Sequence, residues 1–298
     1  MTNNIQFSSV CGIDIAKSVM QVYKVTSDGV VSNKAVKRAD FLNEFRNIPP
    51  SLIGMEACGG SQHWAHELQN LGHTVRLMPP KLVKPYVTGL KNDKNDARGI
   101  YTALVMDVRE VPVKSAAIRD LALLQTMRTK RQREKVAKIN HIRGILSEYG
   151  LIMGKSVNAF LARAGSLIVE LKERADVSPY IVSELEALFQ EVKGAIAKIK
   201  ELETNIESIA KTLKHYDLFQ SAPGVGPITA ATMLVLLCNP EVFKNGREFA
   251  AYIGLAPKST GSGGKNVVTH IPKKYECNNE VRTLLVQCAH AICRSKHK

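Results

Sequence analysis

At 298 residues, with 45% apolar and 23% charged side chains, the chain has the composition of a folded protein of two or three domains, not of a disordered one. Its 41 Lys and Arg against 27 Asp and Glu leave a net charge of +14, a surface suited to a polyanion and most simply to nucleic acid. No apolar run approaches the ~20 residues that cross a bilayer, and the basic residues are spread over several elements, so a membrane partner is not expected. The N-terminus lacks the basic and apolar regions of a signal peptide. Six cysteines without a CxxC pair fit reduced thiols, and the expected location is cytoplasmic. Cys58 with His63 and His66 is a weak zinc pattern, because no second ligand pair accompanies it.

The first hundred residues alternate strand and helix signals. "SVCGIDIAK", "VMQVYKVT" and "GVVSNKAVK" read as three strands in hairpin order, with a turn at Ser27-Asp28-Gly29. An amphipathic helix over "ADFLNEFRNI" stops before Pro49-Pro50. A strand "SLIGMEA", a helix from about Ser61 to Leu71, a strand "HTVRLMP" and a helical segment after Pro79-Pro80 follow. Hairpin strands followed by strands separated by helices imply a mixed sheet with helices packed on it.

From about Ser115 strand signals cease. Residues 115–149 form a helix whose apolar positions Ile118, Leu121, Ile139, Ile142, Leu146 and Tyr149 keep a beat broken by Gln125, Arg128 and Gln132. Its stretch 128–143 carries seven basic residues, Arg128, Lys130, Arg131, Arg133, Lys135, Lys138 and Arg143, against one Glu. A solvated face normally mixes signs, so this one reads as a phosphate-tracking surface. After Pro179 a second long helix places Leu185, Leu188, Val192, Ala195, Ile199, Leu202, Ile206, Ile209 and Leu213 at coiled-coil spacing. It has two possible partners: the helix before it, or a second copy of itself in a homo-oligomer through 185–213.

The last eighty or so residues open with "APGVGPITA", a turn before an apolar helix. The turn resembles a helix-hairpin-helix in which the Gly224 and Gly226 amides meet a phosphate. A tight structural turn is the equal alternative. A helix, a Ser/Gly loop and a strand follow in "REFAAYIGLAPKSTGSGGKNVVTHI". The loop fails the Walker A pattern at Ser259 and Asn266.

Four acids remain to be explained. Asp14 interrupts an apolar strand and Glu56 ends another, and an isolated buried carboxylate is costly. Asp93 and Asp96, three apart, share one face of a helix's first turn. Each has an individual explanation: Asp96 as an N-cap, Glu56 as a partner of Arg76 or Lys81. Taken together, four oxygen-bearing acids without a histidine suit Mg²⁺ or Mn²⁺, and a paired-metal site of that kind cleaves phosphodiesters.

The segments "CGIDIAK", "GMEACGGSQHWAHELQNLGHTVRLMPPKLVKPYVTGLKNDKNDA", "PGVGPITA" and "GREFAAYIGLAPKSTGSGGK" resemble, in this order from about Cys11 to Lys265, the transposases of DEDD-type insertion sequences, relatives of the Piv DNA invertase. The resemblance implies an α/β plus α architecture. It comprises a RuvC-like (RNase H-type) catalytic domain over 1–113, a helical coiled-coil region over 114–215 and a mainly helical C-terminal transposase domain over 216–298. It places the family's acidic tetrad on Asp14, Glu56, Asp93 and Asp96, and a serine nucleophile on Ser262, with Ser259 the weaker choice, beside Lys265. It also implies double-stranded DNA as substrate, a structured guide RNA as partner, and activation of the serine from the same or another subunit of a dimer or tetramer. Two other classes of protein would fit the same charge: a RuvC-like nuclease hydrolysing branched DNA, or a catalytically impaired nucleic-acid-binding remnant. The divergent segment around "KKYECNNE" leaves the second of these open.

Overall fold

The computed structural model describes residues 7–90, 92–257, 259–262, 265–268 and 278–295, with 259–262 and 265–268 described by their backbone. Two compact units emerge: residues up to Ser115 with Cys238–Lys244, and Ala116–Leu237 with the residues from Asn245 on.

The first unit contains β1 (Ser9–Ile15), β2 (Val19–Thr26), β3 (Val31–Lys37), β4 (Leu52–Glu56) and β5 (Thr74–Met78), arranged in the order β3-β2-β1-β4-β5. β1, β2 and β3 form an antiparallel meander, while β4 runs parallel to β1 and β5 parallel to β4. This is the mixed sheet expected from hairpin strands followed by strands separated by helices. The α-helices of the unit among the described residues are α1 (Asn43–Arg46), α2 (Ser61–Asn70), α3 (Pro80–Val83) and α4 (Asp93–Val105). The helix expected over "ADFLNEFRNI" shrinks to α1. Asn43, Glu44 and Phe45 each donate to the carbonyl three residues back, so the segment is mostly tight turns that seat Phe41 and Phe45 in the core.

Side chains alternate across the strands, and the two faces of the sheet differ in chemistry. Cys11, Ile13, Met20, Val22, Val36, Ile53 and Met55 are buried on one face with Phe41, Phe45, Trp64 and Leu68. Burying each side chain of this size stabilises the fold by about 1.5–3 kcal/mol. The intervening positions combine two glycines, Gly12 and Gly54, with the polar Asp14 and Gln21 and the ring of Tyr23 at the place where α4 crosses.

Gly12 permits that crossing. A methyl group there would lie 2.4 Å from the Ala97 carbonyl oxygen and 2.4 Å from the Tyr101 amide nitrogen, both backbone atoms of α4 that no rotamer change can move. On the helix side, Gly99 is also tight, its absent Cβ falling 2.5 Å from the Val87 Cγ2 and 3.0 Å from the Val87 Cα. Beyond the glycines, Ile100, Ala103 and Leu104 are buried with Met78 and Val83.

In the second unit the long helices are α5 (Ala116–Glu148) and α7 (Pro179–Lys211). Arg128 pairs with Glu203 and Lys138 with Glu191, so the partner number falls as the α5 number rises and the two helices run antiparallel. Between them in sequence lies α6 (Val157–Lys172), an element the sequence pattern left unassigned; Ser156 caps it by accepting from the Ala159 amide. Ile139, Ile142 and Leu146 of α5, five apolar residues of α6, and Val182, Leu185, Phe189 and Val192 of α7 form one core. At the other end, Leu121, Ile206 and Ala210 meet α8 (Tyr216–Gln220) and α9 (Pro227–Leu236). The unit continues with α10 (Gly246–Tyr252), the hairpin of β6 (Ser259–Ser262) and β7 (Lys265–Val268), and α11 (Asn279–Ser295).

These packings bear on the partner of the α7 stripe. Leu185, Val192, Ile199, Leu202 and Ile206 are buried within the chain, with Leu188, Ala195, Ile209 and Leu213 half-buried. Of the two partners the sequence offered this stripe, the packing within the chain is the one seen here, with α5, α6 and α9 against α7. The break in the α5 beat also has its reason, because Arg128 faces Glu203 across the pair at 2.6 Å and a charged pair there replaces an apolar layer. Among the described residues, no helix is long and apolar enough to cross a membrane.

Replacing Gly12 with Ala should lower stability by about 2–3 kcal/mol, the upper range for an overpacked site, because backbone must move. Urea unfolding of the first unit, followed by the Trp64 fluorescence it contains, measures this.

Candidate metal centre and nucleic-acid surface

The close approach of α4 to β1 brings acids distant in the chain together. Asp14 near the end of β1 and Asp93 and Asp96 in the first turn of α4 present carboxylate oxygens that all lie within 4.8 Å of one another. Asp14 and Asp96 are half-buried and Asp93 is exposed, so the group opens to solvent on one side. The helix begins where it does because the Asn92 side chain accepts from the Asn95 amide at 2.9 Å. Asn92 thus replaces Asp96 as the N-cap, and both aspartates are left to project from the first turn, where the positive end of the helix dipole favours them.

Glu56 ends β4, on the strand beside β1. Burial first, and then the carboxylates of Asp14 and Asp96, push its carboxyl above the usual carboxylate range. Among the described residues it forms no salt bridge with Arg76 or Lys81, and Arg76 is held by Asp107 at 2.7 Å and Glu110 at 3.1 Å. The fourth acid therefore feels the charge of two of the other three.

The donor set fits a hard divalent cation. It offers only carboxylate oxygens, three of them within one ion's reach, and an acid whose affinity for a proton is raised by its neighbours sits where positive charge is favoured. The weak zinc pattern is not assembled: His66 binds the Lys114 carbonyl at 2.7 Å and His63 lies beside Glu67.

The basic face of α5 divides into used and available charges. Arg128 and Lys138 are paired with Glu203 and Glu191 of α7, and Lys130 lies 3.9 Å from Glu134. Arg143 donates to the carbonyls of Gly154, Lys155 and Ser156 and lies over the Phe160 ring, where it closes the α5–α6 loop. Arg131 and Arg133 are exposed and Lys135 is half-buried, and among the described residues these three enter no salt bridge.

Gly224 is occupied by packing. Its φ of +77° excludes most side chains, and a Cβ would lie 2.6 Å from the Cys288 carbonyl oxygen of α11. Gly226 has open space around it at the N-terminus of α9. Ser262 is the last residue of β6, in register with Lys265 of β7. The side chains of Ser259, Ser262 and Lys265 lie outside the described residues.

Comparison with known proteins agrees with this architecture. Residues 11–151 match the DEDD transposase model of the IS110 type, and residues 216–298 match the model described as "Transposase IS116/IS110/IS902 family". A Pseudomonas aeruginosa protein described as "Probable family 20 transposase" is 35% identical over 289 residues, covering 95% of this chain and 83% of its own length. The transposase for insertion sequence element IS1111A of Coxiella burnetii is 33% identical, over 96% of this chain and 78% of its own. That for IS1328 of Yersinia enterocolitica is 28% identical, over 94% and 83%. The chain belongs to the IS116/IS110/IS902 family of DEDD transposases and is a DNA transposase of the insertion-sequence kind. Divalent-metal use follows from that family membership and from the acidic group.

The raised Glu56 carboxyl gives a pH test. A folded-state value above the ordinary 4.5 means the fold holds this proton more tightly than the unfolded chain does. Its stabilising effect is complete below pH 4.5 and is lost as pH rises through the folded-state value. Metal-free Glu56→Gln should therefore melt above the unsubstituted protein at pH 7, with the difference vanishing toward pH 4. Adding Mg²⁺ at pH 7 should reverse the order, because only the unsubstituted protein offers the fourth carboxylate. Thermal unfolding at the two pH values, with and without Mg²⁺, measures it.

Proposed function

We propose that this transposase cuts and rejoins DNA at a divalent-metal centre formed by Asp14, Glu56, Asp93 and Asp96, with Ser262 as the attacking hydroxyl and a structured RNA as guide. The observation that carries the reading is the convergence of the Asp14, Asp93 and Asp96 oxygens within 4.8 Å, from a strand and a helix about eighty residues apart in sequence. A meander followed by two parallel strands, with an acid at or next to the end of each of two neighbouring strands, supports a RuvC-like catalytic domain. Bound there, Mg²⁺ or Mn²⁺ would polarise phosphodiester oxygens and make a coordinated hydroxyl more acidic.

The chain's own groups do the rest. Asp14 and Asp96, half-buried, fix the floor of the site, and exposed Asp93 faces arriving DNA. The Ser262 oxygen would bond to phosphorus while the bond from phosphorus to a deoxyribose oxygen breaks, the serine proton passing to a base and the leaving oxygen gaining one. Return attack by another DNA hydroxyl would release the serine and join new strands. Arg131, Arg133 and Lys135 on α5 would track an RNA or DNA backbone, with Gly226 and Lys265 as further phosphate contacts. The assembly would be a dimer or tetramer, with the 185–213 helix bringing its subunits together.

Strand exchange should be tested on protein purified with its co-purifying nucleic acid, which is then sequenced. Exchange should require Mg²⁺ or Mn²⁺, stop in EDTA, and stop in both Asp14→Asn and Ser262→Ala while DNA binding persists. Cleavage that survives in Ser262→Ala identifies a hydrolytic nuclease instead. Binding without any product, under all conditions, identifies a remnant. Separately, Arg131→Gln with Arg133→Gln should weaken nucleic-acid binding and flatten the salt dependence of log K by roughly one to two units of slope. Lys138→Gln should change that slope less, since Glu191 already neutralises it.

A further inference from the structure

The sheet face beneath α4 contains a polar relay that neither the acidic group nor the family match accounts for. Gln21 of β2 lies directly opposite Asp14 in the β1–β2 register, and it is 5% exposed. Its Nε2 donates to the Oδ1 of Asn33 on β3 at 2.6 Å. The Asn33 Nδ2 in turn donates to the Lys94 carbonyl at 3.1 Å. Lys94 is the second residue of α4 and stands between Asp93 and Asp96. The relay thus begins beside one proposed ligand and ends on the backbone between two others.

Its direction is fixed by chemistry. A backbone carbonyl only accepts, so Asn33 must turn its amide nitrogen toward Lys94 and its oxygen toward Gln21, which must then donate. A glutamine this buried is costly unless its amide is satisfied, and an apolar residue on β2 would pack as well. A Lys94 carbonyl in a helix already accepts from the residue four positions on, and its second lone pair takes the Asn33 amide. That bond ties the first turn of α4 to the edge of the sheet. Gly12 and the buried Ile100, Ala103 and Leu104 hold only the rest of the helix.

We infer that Gln21 and Asn33 are positioning residues of the metal centre, holding Asp93 and Asp96 at a fixed distance from Asp14 against their mutual repulsion. The inference rests on the metal-centre reading above. Partners behind the ligands of a metal site typically change its affinity by roughly tenfold or more when removed.

The test uses the full chain and Mn²⁺ alone, with free Mn²⁺ followed by electron paramagnetic resonance during titration. Asn33→Ala and Gln21→Met should each weaken Mn²⁺ binding about tenfold. The double variant should be no weaker than the single ones, because the two residues act in series. Asp14→Asn should remove the binding altogether. Metal-free thermal unfolding of the same samples separates positioning from general support. Lowered melting temperatures with Mn²⁺ affinity unchanged within twofold, while Asp14→Asn still abolishes binding, would overturn the relay and leave the metal centre standing. Mn²⁺ binding that survives Asp14→Asn would instead overturn the metal centre, and the relay with it. Should Gln21→Met fail to fold, Asn33→Ala, at a half-buried edge position, decides the question by itself.

Discussion

Three carboxylates held within a few ångströms repel one another, and the rest of the first unit is arranged around opposing that repulsion. Helix α4 lies so close to β1 that its backbone occupies the space a Gly12 side chain would need. The core on the far side of the sheet and the apolar half of α4 supply the free energy; the acids consume part of it. Glu56 registers the cost, since Asp14 and Asp96 help to raise its proton affinity. An arrangement that is unfavourable when empty and neutralised by a divalent ion is a general way of making metal affinity part of the fold.

In the second unit, charge has two uses. Part of the positive face of α5 is turned inward to Glu203 and Glu191, where it fixes the register of two antiparallel helices. Arg131, Arg133 and Lys135 remain for a polyanion. Counting basic residues along a helix therefore overstates the binding surface, because pairing with a neighbour becomes visible only when the neighbour is placed.

Much of the candidate site was legible in the sequence. Asp14 and Glu56 break apolar strands, and a charge in such a place has to be explained by a partner. Asp93 and Asp96 are three apart at a helix start. What could not be read there was the N-cap, since Asn92 and Asp96 are both good capping residues and only the backbone path selects Asn92. Nor was the α6 helix read, or the role of Gln21, whose amide looks like any polar residue on a strand until Asn33 is set diagonally across from it.

By itself, the sequence determined the five strands of the first unit and the two long helices of the second, because the spacing of apolar residues is local and burial enforces it, whereas β6 lies in a stretch that reads as a Ser/Gly loop. It also determined the family, carried by short runs of residues in fixed order. Only the tertiary structure decided which surfaces meet: that the stripe of α7 is covered by its own chain, that Gly224 serves α11, and that the aspartates of β1 and α4 share one small space. Periodicity says which face of an element is turned inward. It does not say against what, because contacts between distant segments depend on the shapes of both partners at once.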